Sequence, residues 1–215
     1  MSLKLYFHPL ASFCWKALIA LYENDTPFEP HIVDLADETA RTAFFKLSPI
    51  GKMPVLRDDA RTVTVPEATI IIEYLALHYP GGTQLVPANA DLAWQTRLRD
   101  RFYDLYVHEP MQKIVLDKLR PSGKSDPHGV ELAKAQLKSA YDLIEQEMGA
   151  NTSAMGDAFS MADCAAAPAL FYANKVAPFV DSHKNVAAYL GRLTNRPSFA
   201  RTLAEAQPYF KFFPG

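Results

Sequence analysis

Ser12 stands where a short apolar run gives way to a helical pattern, in Pro9-Leu10-Ala11-Ser12-Phe13-Cys14-Trp15-Lys16. A helix N-terminus favours negative charge, so a hydroxyl there either caps the helix or donates to an anion such as a thiolate. A hydrogen bond to a charged group is worth ~1.5–3 kcal/mol, which moves a thiol pKa by about one to two units. Cys14 is a candidate of another kind, a thiol nucleophile. Ala11-Ser12-Phe13-Cys14 lacks the first cysteine of a Cys-x-x-Cys pair, so disulfide exchange is disfavoured and Cys14 reads as a helix residue facing the core. Tyr6 is a rival donor, although its place in Leu5-Tyr6-Phe7 equally suits a packed strand aromatic.

Other chemistries are disfavoured. The 2 cysteines, Cys14 and Cys164, lie far apart with no Cys-x-x-Cys or His-rich partner, against both a disulfide scaffold and a structural zinc site. A net charge of -2 with mixed signs argues against a nucleic-acid partner, which would call for clustered Lys and Arg. The start, Met1-Ser2-Leu3-Lys4-Leu5-Tyr6, lacks the pattern of a secretory signal. The longest apolar runs fall short of the ~20 residues of a membrane helix. A soluble protein of a reducing cytoplasm, without a membrane partner, is expected.

The elements that must position these groups follow from periodicity and turn residues. Residues 3–8 read as a strand stopped by Pro9, 12–24 as a helix, 28–34 as a strand that Pro30 demotes to a sheet edge, and 37–47 as a helix. Strands over 53–57 and 62–65 and a helix over 67–79 complete a βαβ then ββα order. A break rich in Pro and Gly follows. Beyond it the pattern is helical: 92–119 with apolar groups at Trp94, Leu98, Phe102 and Leu105, then 130–148, 161–173, 185–193 and 198–206.

Three segments carry a family resemblance. Ser48-Pro49-Ile50-Gly51-Lys52-Met53-Pro54-Val55-Leu56 resembles the Asn-Pro-x-Gly-Lys-Val-Pro-x-Leu segment of the glutathione transferase superfamily. Pro66-Glu67-Ala68-Thr69-Ile70-Ile71-Ile72-Glu73-Tyr74-Leu75 resembles its Glu-Ser-x-Ala-Ile-x-x-Tyr-Leu helix start. Phe159-Ser160-Met161-Ala162-Asp163 resembles its Ser/Thr-x-x-Asp capping box, in which Ser160 and Asp163 start a buried helix and serve folding rather than chemistry.

The resemblance implies an α/β thioredoxin-like N-terminal domain over residues 1–80, a linker over 81–88 and an all-α C-terminal domain over 89–215 that supplies a hydrophobic substrate pocket. It implies a cytosolic, bacterial-type, Ser-type enzyme, zeta- or theta-like, working as a homodimer. Pro54 would follow a cis peptide bond, and Met53 would offer its backbone N–H and C=O to glutathione as a strand edge does. Glu67 would meet the ligand's ammonium and the N–H of Ala68 its γ-glutamyl carboxylate, without the hydroxyl that relatives carry there. Lys52 joins these as a binding residue. Ser12 is the expected activator of the thiol, and Leu10, Tyr103 and Tyr106 are expected to line the pocket for a small hydrophobic electrophile. Glutathione is the co-substrate, with no metal. The reaction would be conjugation or glutathione-dependent isomerisation. A non-catalytic binding or regulatory protein, or a redox enzyme using Cys14, are the alternatives.

Overall fold

In the computed structural model, residues 2–214 are described; Met1 and Gly215, the outermost residues of the two expected domains, lie outside them. The chain opens with β1 (Leu3–Phe7), α1 (Ser12–Glu23), β2 (Glu29–Ile32), α2 (Glu38–Leu47), β3 (Val55–Asp58), β4 (Val63–Pro66) and α3 (Ala68–His78). The sheet order is β2-β1-β3-β4, with β1 parallel to β2 and antiparallel to β3, and β3 antiparallel to β4. Pro30 thus lies on an edge strand, where its missing N–H is tolerated. Alternation along β1 buries Leu3, Leu5 and Phe7 on one face. Tyr6 points the other way and stacks on His31 with centroids 4.7 Å apart, in a small cluster with Phe44.

Helices make up the rest: α4 (Ala90–Phe102), a π-helical turn (Tyr103–His108), α5 (Glu109–Lys118), α6 (Pro127–Met148), α7 (Met161–Val176), α8 (Lys184–Thr194), α9 (Pro197–Ala206) and a 3-10 segment (Gln207–Phe212). Among the described residues, no helix is long and apolar enough to cross a membrane. The main core runs through both regions: Trp15 of α1 packs against Phe171 and Tyr172 of α7 and Phe199 of α9, with centroids 4.8–5.9 Å apart. At the start of α7, Ser160 and Asp163 form the reciprocal capping box, and Asp163 also accepts from the Ala154 N–H and the Tyr189 hydroxyl at 2.8 and 2.6 Å. A buried carboxylate with this many donors pins α7 to α8 and to the preceding loop.

The expected helix over 92–119 is interrupted. The π-helical turn inserts a residue between α4 and α5, and the apolar spacing marks the outer side of α4 and of this turn: Trp94, Leu98 and Leu105 are exposed, while Ala93, Thr96, Asp100 and Tyr103 turn inward. The inward side is polar for a reason. Lys16 of α1, only 1% exposed, has its Nζ 2.6 Å from Asp100 Oδ1 and 2.7 Å from Asp104 Oδ2, and it donates to Thr69 Oγ1 at 2.8 Å. Thr69 donates in turn to Asp100 Oδ2 at 2.8 Å, and Arg101 closes the cluster against both aspartates from the solvent side. A buried ammonium holds α1, α3 and α4 together because its charge must be met there.

Candidate functional site

A cleft of about 680 Å³ lies between the sheet region and the α5 side of the helical region. Residues 10–13, 47–50, 52–55 and 66–68 form one wall, and His108, Met111, Gln112, Val115, Tyr172 and Phe213 form the other. Leu10, Ser12, Lys52, Met53, Pro54, Glu67 and Ala68, drawn from three separate segments of the sequence, therefore share one cavity.

Each segment is held for a local reason. The loop after β1 turns through Ala11 N–H to His8 C=O at 3.0 Å, the indole N–H of Trp15 bonds to the Pro9 carbonyl, and the Tyr172 hydroxyl donates to the Leu10 carbonyl at 2.8 Å. Ala11, not Ser12, is the N-cap of α1, and no side chain caps that helix. Ser12 is then a largely buried first-turn residue whose hydroxyl is not used as a cap. In the second segment Gly51 has φ +70°, a conformation that favours glycine. The Met53–Pro54 peptide bond is cis. Met53 lies just ahead of β3, and among the described residues neither its N–H nor its C=O finds a partner.

The third segment begins α3. Glu67 is the residue before the helix, exposed and with φ +68°, a conformation that a non-glycine residue rarely holds and that functional sites concentrate. Ala68 is the first helical residue. The N-termini of α1 and α3 thus open into one cleft, and their free N–H groups favour an anion there. Beneath α3, Thr69 ties this start to the Lys16 cluster.

Several expected residues lie elsewhere. Tyr103 is buried, 1% exposed, edge-on to Phe102 and paired with Tyr189, so it packs the helical core and does not line the cleft. Tyr106 is exposed beside Phe102 and does not line it either. The physical reason is the π-helical turn, which changes the face that follows it, so residues 108, 111, 112 and 115 reach the cleft in place of 103 and 106. Tyr6 is on the far face of the sheet, so its hydroxyl is not a cleft group. Cys14 is fully buried and burial pushes its thiol up to about 12, against a thiolate role. None of the residues of the second wall is among those expected from the sequence. His108, the most informative of the missed residues, is 4% exposed, and burial with the nearby Lys16 charge pushes its imidazolium down to about 4, so the ring is neutral. Among the described residues, no group of three or more His, Cys, Asp or Glu gathers to hold a metal ion.

Family models for the glutathione S-transferase N-terminal and C-terminal domains match residues 5–83 and 127–192. Human glutathione S-transferase theta-1 is 30% identical over 183 residues, covering 80% of this chain and 73% of that protein. This chain belongs to the glutathione S-transferase family. A second transferase relative, glutathione S-transferase F7 of Arabidopsis thaliana, is 26% identical and covers 94% of this chain and 99% of its own length. The glutathione S-transferase fold is shared with the crystal structure of a Methylobacillus flagellatus glutathione S-transferase with GSH bound, at a TM-score of 0.85 and 22% identity, covering 94% of this chain and 98% of that one.

Proposed function

We propose that this chain is a glutathione transferase that activates the glutathione thiolate for attack on a small hydrophobic electrophile. The observation that carries the reading is the meeting, in one cleft, of the free main-chain groups of Met53, the N-termini of α1 and α3, and the Ser12 hydroxyl. An extended tripeptide satisfies Met53 as a neighbouring strand would. Its γ-glutamyl carboxylate sits on the α3 N-terminus at Ala68, its ammonium meets Glu67, and Lys52 lies within reach of its other carboxylate. The sulfur then faces Ser12. The apolar wall of Leu10, Met111, Val115 and Phe213 takes the electrophile. We place the division between the two functional halves at residues 81–88 and the protein in the cytoplasm, in keeping with its free, buried cysteines.

Calorimetry with millimolar glutathione and mass spectrometry of thioethers from a broad electrophile panel test this assignment. Heat of binding and a thioether product are expected, and conjugation persists in Cys14→Ala. Binding without turnover would make the chain a binding protein, and no heat at all would end the assignment.

The working unit is a homodimer. Ile70 and Leu77 of α3, Trp94 and Leu98 of α4 and Leu105 of the π-helical turn leave an apolar face on elements joined by the Arg97–Glu73 pair at 2.7 and 2.9 Å. Leu77 is 73% and Leu98 57% exposed, more apolar surface than a monomer usually leaves in one place. Leu98→Glu puts a charge into that seam. Sedimentation velocity is expected to show a dimer for the unmodified chain and a monomer for the variant; an unmodified chain that sediments as a monomer refutes the interface.

A further inference from the structure

The cleft wall opposite Ser12 is apolar except for the Tyr172 hydroxyl, His108 and, one helical turn on from His108, Gln112 at the mouth. His108 closes the π-helical turn Tyr103–His108, and its ring lies 4.0 Å, centroid to centroid, from that of Phe13, the residue after Ser12. Among the described residues neither ring nitrogen takes part in a hydrogen bond, and Nδ1 is buried without a partner. The other polar group of that wall, the Tyr172 hydroxyl, is already committed to the Leu10 carbonyl.

An unpartnered imidazole is costly, because a buried polar group without a hydrogen bond loses its water for nothing. Packing alone does not call for it: a phenylalanine would fill the same volume against Phe13 with no polar atom to satisfy. Pi-helical turns concentrate at functional sites, and here the turn delivers this ring to the reactive end of the cleft. The ring is neutral at physiological pH, so it carries one N–H donor and no net charge.

We propose that His108 selects for α,β-unsaturated carbonyl electrophiles by donating its Nε2–H to the carbonyl oxygen, Nδ1 being closed off from the cleft. This rests on the assignment of the cleft as the glutathione thiolate site. In the addition, the thiolate sulfur forms a bond to the β-carbon, the alkene pair moves to lie between the α-carbon and the carbonyl carbon, and the carbonyl pair moves onto oxygen. The α-carbon of the resulting enolate then takes a proton from water, giving the neutral thioether. Negative charge therefore builds on the oxygen in the transition state. A fixed neutral donor beside that oxygen, in a wall that excludes water, stabilises the charge as it forms. A benzylic chloride offers no such oxygen, since its charge leaves on chloride.

The ratio of kcat/KM for an aryl enone to that for benzyl chloride, with glutathione saturating, reads this preference. His108→Phe is expected to lower the ratio by about tenfold or more, and His108→Gln, which restores an N–H donor, to recover part of it. His108→Leu replaces the phenylalanine variant if circular dichroism shows that one unfolded. A ratio that moves less than about twofold, or equal losses on both electrophiles, overturns the role of His108 while leaving the transferase assignment standing. Absence of thioether from either electrophile with the unmodified protein overturns both.

Discussion

Replacing Lys16 with methionine lowers the free energy of unfolding by about 3–5 kcal/mol, because it strands two carboxylates, Asp100 and Asp104, away from water with their shared cation gone. Against a typical total of about 5–15 kcal/mol, that is a large share of the fold's margin. Arg101 cannot compensate fully, since it approaches both carboxylates from the solvent side with its own side chain about half exposed. The loss is not one of packing volume, because methionine fills nearly the space of the lysine stem. Urea titration followed by circular dichroism measures it. A second comparison separates charge from shape: adding Asp100→Asn and Asp104→Asn to Lys16→Met removes the stranded charges and is expected to restore at least half of the loss. A single-variant loss below about 1 kcal/mol would mean that water reaches the cluster and screens it as at a surface.

This cluster also touches the chemistry. Thr69, which links Lys16 to Asp100, is the second residue of α3, and Ala68 and Glu67 directly precede it. A folded but loosened Lys16 variant should therefore bind glutathione more weakly, through displacement of the α3 start.

Ser12→Ala raises the pKa of the bound glutathione thiol by about one to two units, since a hydrogen bond to a charged group contributes ~1.5–3 kcal/mol and each unit corresponds to about 1.4 kcal/mol. The sign follows from which form the hydroxyl favours. It donates to the thiolate, so its removal favours the thiol, and the reactive fraction at a given pH falls. Below both pKa values kcat/KM drops by about 10–100-fold. The deficit closes as pH rises through the variant's pKa, where both proteins hold glutathione fully ionised. Below both pKa values glutathione affinity changes little, because Met53, Glu67 and the α3 N-terminus carry the rest of the tripeptide in this reading and the thiol form gains nothing from the hydroxyl. Ultraviolet titration of the bound thiolate gives the pKa directly. An unchanged value would shift the role to the backbone N–H groups at the start of α1, which line the same stretch of cleft.

Hydroxyl and helix terminus act in the same direction here. The Trp15 and Tyr172 side chains clamp the preceding loop through the carbonyls of Pro9 and Leu10, so the donor at Ser12 is held before the ligand arrives. Preorganisation of this kind lets a single hydroxyl matter, since no reorganisation cost is met at the moment of reaction.

The sequence by itself determined the order of elements and the turn ahead of β3. Pro30 announced an edge strand, the spacing of Ser160 and Asp163 announced a helix start, and the run from Ser48 to Leu56 placed Gly51, Met53 and Pro54 in a turn whose φ and peptide geometry the structure shows. These are local matters, settled by neighbours within a few residues, and local chemistry is what a sequence displays. Tertiary structure alone decided the rest. The burial of Lys16 rests on partners 84 and 88 positions away, which α4 and the π-helical turn bring to it. The apolar spacing of Trp94, Leu98 and Leu105 suits a core or an interface equally, and only the carboxylates that Lys16 draws inward turn that face to solvent. Tyr103 and Tyr106 gave way to His108 and Gln112 because one π-helical turn changes which side of the chain meets the cleft, and its single extra residue leaves no mark on the pattern of side-chain types.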